Sequence, residues 1–95
     1  MYEIVQAKKF KTAYKKLKFS GRSDFDNDDF EYVIKLLSEG KELPEKYRDH
    51  FLKGNLRNKR ECHITSNMLL VYEINAQLKI ITLNDIGSHS QIFGL

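Results

Sequence analysis

A single cysteine, Cys62, is all that 95 residues offer for covalent cross-linking. A secreted domain this small would ordinarily carry an even set of cysteines, so a disulfide framework is excluded and a reducing, cytoplasmic setting is expected. Long apolar runs are missing as well. Nothing approaches the roughly 20 apolar residues of a membrane-spanning helix, and MYEIVQAKKF lacks the apolar stretch of a secretory signal. No segment repeats, and none is of low complexity. Zinc-ligand spacing is also absent: Cys62, His50, His63 and His89 form no close Cys or His pair of the kind that holds structural zinc. Cys62 and His63, as strand neighbours, point to opposite faces. No metal or other cofactor is therefore expected.

What is present is the composition of a folded protein, with 41% apolar and 31% charged residues. The length suits one domain over 1–95 with one modest core. The net charge is only +3, but the cations are clustered. Residues 1–22 hold Lys8, Lys9, Lys11, Lys15, Lys16, Lys18 and Arg22 against the single acid Glu3. A second run, Lys46, Arg48, Lys53, Arg57, Lys59 and Arg60, is opposed between 46 and 60 only by Asp49. Such clusters suit a polyanion such as nucleic acid, although solvated basic faces of helices look the same in sequence.

Alternation over Tyr2–Ala7 reads as a short strand. Phe10, Ala13, Tyr14 and Leu17 then recur at helical spacing, with lysines filling the rest of the surface. After the turn formers of SGRSDFDNDD, the stripe Phe30, Val33, Ile34 and Leu37 predicts a second helix, which Gly40 can close in the left-handed conformation. Five acids between Asp24 and Glu31 fit the positive end of that helix dipole and are read as structural, not as a carboxylate metal site. Beyond Pro44 the pattern turns to strands over Arg60–Thr65, Met68–Ile74 and Leu78–Leu83, with a hairpin turn at Asn75–Ala76. This β-α-α-β-β-β order predicts an α+β fold, two helices on one face of a mostly antiparallel, twisted sheet.

Three histidines in a basic chain suit one chemistry in particular. Cleavage of RNA by its own 2′-hydroxyl requires a base for that hydroxyl, an acid for the departing 5′ oxygen, and cations for the charge on phosphorus. Imidazole can serve as either base or acid near neutral pH. Each histidine also has an ordinary reading: His50 as a solvated loop residue, His63 as a strand residue facing solvent or a groove, His89 as part of a polar turn or capped terminus in GSHSQIFG. Cys62 falls on the apolar side of its strand, where a thiolate nucleophile is disfavoured.

Three segments decide between these readings: LPEKYRDHFLKGNLRNKRECHI (Leu43–Ile64), LLVYEI (Leu69–Ile74) and GSHSQIFG (Gly87–Gly94). Together they resemble the YafQ-type branch of the RelE toxin superfamily, in actual residues over the C-terminal half and in pattern over the N-terminal half. The resemblance implies an mRNA interferase that cuts codons in the ribosomal A site and is held inactive by a cognate acidic antitoxin. It implies that His50, His63 and His89 are catalytic, and that Phe93 positions the base or RNA. On that match we assign Lys53 and Arg60 to the phosphate, His50 or His63 to the 2′-OH proton and His89 to the leaving oxygen, although the sequence does not itself say which histidine is base and which is acid. The chain departs from the family at Asn67, where an acid is common. Asn67 can orient a histidine or a phosphate by hydrogen bonds but cannot accept a proton. That departure keeps open the alternative of a noncatalytic RNA- or ribosome-binding relative.

Overall fold

A computed structural model describes residues 1–19, 27–54 and 58–94. Among them the chain runs β1 (Glu3–Gln6), α1 (Lys8–Phe19), α2 (Asn27–Ser38), a short 3-10 helix (Glu45–Tyr47), β2 (His50–Phe51), β3 (Arg60–Thr65), β4 (Met68–Asn75), β5 (Ile80–Gly87) and α3 (His89–Phe93). The α+β architecture agrees with the sequence reading. Both helices form where the apolar stripes lie: Phe10 and Leu17 of α1, and Phe30, Val33 and Leu37 of α2, are buried. Gly40 closes α2 as expected, with φ 71°. Its N–H donates to the Leu37 carbonyl and the Lys41 N–H to that of Leu36, the paired bonds of a Schellman end. Asp28 and Asp29 occupy the first turn of α2, consistent with a dipole role. Asp24, Asp26, Arg22 and Arg57 lie outside the described residues.

The sheet order is β1-β5-β4-β3-β2. β1 pairs with β5 in parallel and every other pair is antiparallel. Alternation sends Cys62 and Ile64, Met68, Leu70 and Tyr72, and Ile81 and Leu83 toward the helices, where they share one core with Phe10, Phe30 and Val33. Phe10, Tyr14 and Phe30 stack with ring centroids 5.1–6.2 Å apart, fastening the two helices to each other. The opposite face carries Glu61, His63, Leu69 and Val71. Ile92 of α3 lines a small cavity there with Val71.

Three local expectations are corrected. The β4–β5 turn is not the pair Asn75–Ala76 but spans 76–79, with Lys79 at φ 57° and the Leu78 N–H donating to the Asn75 side-chain oxygen. β5 begins later and runs further than Leu78–Leu83, to Gly87, because a bulge opposite Val71/Tyr72 lets Asp85, Ile86 and Gly87 continue pairing with β4. GSHSQIFG is not a plain polar turn: Gly87 ends β5, Ser88 caps the helix as the capped-terminus reading allowed, and His89–Phe93 form α3.

Candidate active site

The site grows from a loop that is tied down on the helix side of the sheet. Tyr47, 2% exposed, donates its hydroxyl to Asp29 of α2 at 2.8 Å. One residue on, Arg48 ends the 3-10 helix in the left-handed region at φ 49°, ψ 44°. Asp49 then accepts from the Arg60 guanidinium at 3.2 and 2.8 Å and from the Tyr72 hydroxyl at 2.5 Å. These anchors deliver His50 to the sheet edge as the first residue of β2, opposite Glu61, and not to an open loop. The Nδ1 of His50 lies 2.6 Å from the Arg48 carbonyl. A carbonyl only accepts, so Nδ1 carries a proton and Nε2 is left to face Glu61.

Glu61 is 3% exposed and stands between two imidazoles. Its Oε1 is 3.6 Å from Nε2 of His50 and 3.5 Å from Nε2 of His63. Two residues apart on β3, Glu61 and His63 share a face. Burial holds His63 below the ordinary histidine pKa; Glu61 opposes that shift, while His89, Arg48 and His50 reinforce it. His63 is therefore a neutral imidazole near pH 7.

His89 reaches the same place from α3. Ser88 and Gln91 form a reciprocal capping box: the Ser88 hydroxyl accepts from the Gln91 N–H at 3.2 Å, and the Gln91 side chain accepts from the Ser88 N–H at 2.8 Å. The exposed His89 ring sits edge-on to His63, centroids 5.8 Å apart, and Phe93 follows one helical turn later with its ring 6.0 Å from that of His89. His63 and His89 line a cleft of about 520 Å³ together with Lys46, Arg48, Thr65 and Ser66.

The other expected site residues are dispersed. Arg60, expected at the phosphate, is on the opposite face of β3 from His63, because three residues along a strand reverse the side chain. Its guanidinium is held by Asp49 and stacks over the Phe51 ring at 4.2 Å. Lys53 is exposed just beyond β2, and Asn67 is exposed in the β3–β4 turn beside Ser66. Cys62 is buried, and burial pushes its thiol pKa well up, as expected for a packing residue. Glu61 and Arg48 had not been singled out as site residues. The readable signals were the two-residue spacing of Glu61 from His63 and the place of Arg48 in the basic run. Among the described residues, no group of three or more His, Cys, Asp or Glu is arranged to hold a metal ion, and no helix is long and apolar enough to cross a membrane.

Replacing Asp49 by Ala strips Arg60 and the Tyr72 hydroxyl of their shared acceptor. The expected loss is about 2–3 kcal/mol in urea unfolding, the range for hydrogen bonds to charged groups. Any RNA cleavage should weaken with it, as the chain carrying Arg48 and His50 loses its tether.

Comparison with known proteins agrees with this architecture. The sequence profile of YafQ, a bacterial toxin of type II toxin–antitoxin systems, matches residues 2–94. The mRNA interferase toxin YafQ of Escherichia coli is 27% identical over 81 residues, which cover 84% of this chain and 86% of that protein. A metal-bound toxin from Helicobacter pylori has 40% identity and a TM-score of 0.87, covering 98% of this chain and 100% of that one. An E. coli DinJ–YafQ complex gives 0.84 at 23% identity, covering 99% and 100%, a likeness of fold. The chain belongs to the YafQ family of bacterial type II toxin–antitoxin toxins.

Proposed function

We propose that this toxin is a ribosome-dependent endoribonuclease that cuts mRNA through the substrate's own 2′-hydroxyl, without a metal. The observation that carries the reading is the facing pair His63 and His89 in a cleft with cations on its rim. His63, neutral at pH 7, suits the base that takes the 2′-OH proton. The 2′ oxygen attacks phosphorus, the P–O5′ bond breaks, and His89 supplies the proton to the departing 5′ oxygen. The products are a 2′,3′-cyclic phosphate and a 5′-hydroxyl. His50 acts through Glu61, whose carboxylate it shares with His63. Phe93 offers a ring on which an unstacked base can lie. Lys53 and Asn67 serve at the edge of the RNA path. Asn67 is limited to hydrogen bonding, so it adds no acid or base.

The partners that follow are mRNA in the ribosomal A site and a cognate acidic antitoxin, all in the cytoplasm. The E. coli relative is seen in a complex with the DinJ antitoxin. Here the lysine-rich exposed side of α1 and the cleft cations supply charge complementary to an acidic chain.

Induced expression of the wild type is expected to arrest growth with mRNA cleavage, whereas His89→Ala is harmless. If the two were equally harmless, the nuclease reading would give way to a noncatalytic binding role. In vitro cleavage should persist in EDTA, at magnesium levels set separately to keep ribosomes intact. Loss of cleavage on adding a chelator specific for transition metals, with recovery on metal return, would defeat metal independence.

A further inference from the structure

Arg48 occupies a backbone conformation that non-glycine residues rarely adopt, at φ 49°. Such conformations concentrate at functional sites. Its backbone is engaged at both ends: the N–H donates to the Glu45 carbonyl at 2.9 Å, and its carbonyl meets Nδ1 of His50. Its guanidinium has no carboxylate partner among the described residues. Three cations of the same run do: Arg60 pairs with Asp49, Lys46 with Asp29 and Lys59 with Glu73. The nearest acid in sequence, Asp49, is already committed to Arg60 and Tyr72.

A second observation lies in the lining of the same cleft. The Thr65 hydroxyl oxygen is buried with no hydrogen-bond partner, beside the bulge that follows His63. A buried hydroxyl left unpaired is costly, and a bound group in the cleft is one way to complete it. Arg48 and Thr65 line one cleft with His63 and His89. Arg48 is near enough to His63 to disfavour its protonation.

We infer that Arg48 and Thr65 form the phosphate subsite of this cleft, the guanidinium fork holding the non-bridging oxygens of the RNA phosphate and the Thr65 hydroxyl donating to the same group. This deepens the nuclease reading and rests on it. Arg60, held by Asp49, does not line this cleft, whereas Arg48 does. Planar, paired donors suit a phosphate better than a single ammonium does. The left-handed backbone at residue 48 then orients His50 with its carbonyl while its side chain grips the anion.

Arg48→Gly is the decisive variant, because glycine adopts φ 49° without strain and the backbone bonds remain. Inorganic phosphate is titrated into the free protein while the imidazole signals of His63 and His89 are followed by NMR, at constant pH and ionic strength. The wild type is expected to show saturable shifts at both rings. Arg48→Gly and Arg48→Lys should each weaken them by about tenfold or more, the loss expected when a paired charged contact is removed. Thr65→Val should weaken them several-fold. In ribosome-dependent cleavage, Arg48→Gly should be slowed by about 10²-fold, with an unfolding midpoint at or above that of the wild type. Phosphate shifts and cleavage unchanged in Arg48→Gly would overturn the subsite. If the wild type cut no RNA yet bound phosphate through Arg48, the nuclease reading would fail and the anion site would stand.

Discussion

Removal of the His63 imidazole by substitution with Ala is expected to slow mRNA cleavage by about 10²–10⁴-fold, the usual contribution of a positioned acid or base. The unfolding midpoint should move little, because the ring lies at the cleft wall and not in the core shared by the helices. The pH profile identifies the role. His63 works as the neutral base, and burial keeps its pKa below the ordinary 6.5. The acid limb of kcat/KM should therefore fall below that of an exposed histidine. Glu61 opposes the shift, so Glu61→Gln should carry this limb to still lower pH. An acid limb at or above 6.5, or one that Glu61→Gln leaves in place, would remove His63 from the role of base. The same displacement affects stability. The folded state resists protonation of His63, so its contribution is complete above the unfolded value of about 6.5 and is lost as pH falls through the lower folded value.

Phe10→Ala is expected to cost about 3–5 kcal/mol, the range for emptying a buried aromatic position. Phe10 is fully buried and stacks on both Tyr14 and Phe30, so it joins α1, α2 and the sheet at one point. Against a total stability of about 5–15 kcal/mol for a small domain, this is a large share. Urea unfolding measures it, with the slope m unchanged if the transition remains two-state. A loss under about 1 kcal/mol would mean that the neighbouring side chains collapse into the space.

The helices were legible because their stripes recur at helical spacing, and the cap at Gly40 because glycine suits a positive φ. The face bearing His63 was legible from its alternation with Cys62. Arg60 was expected at the phosphate from its match to the arginine before Glu-Cys-His, and the strand geometry puts it with Asp49 on the face away from His63. An odd separation of three along a strand puts the two side chains on opposite faces, whereas Glu61, at two, belongs with the histidine. The two-residue strand at His50–Phe51 is too short to carry a period, and the parallel pairing of β1 with β5 leaves no local trace. The Ser-x-x-Gln spacing of Ser88 and Gln91 is a capping-box signal, but the segment reads in sequence only as a polar turn or capped terminus, so α3 was not expected as a helix. The convergence of His89 on His63 was not readable from spacing, since it depends on how α3 returns across the sheet.

The parallel pairing of β1 with β5 also bears on when the toxin becomes active. Glu3 is registered with Ile80, so the first strand of the fold waits for the last. Contacts this distant in sequence form late and slowly. In a chain lengthening on a ribosome, α1 thus lacks its principal strand partner until β5 has emerged. His89 follows β5, so the cleft gains its second imidazole only after the sheet can close. The facing imidazoles of His63 and His89 are therefore among the last features of the fold to be completed, after the strand that closes the sheet.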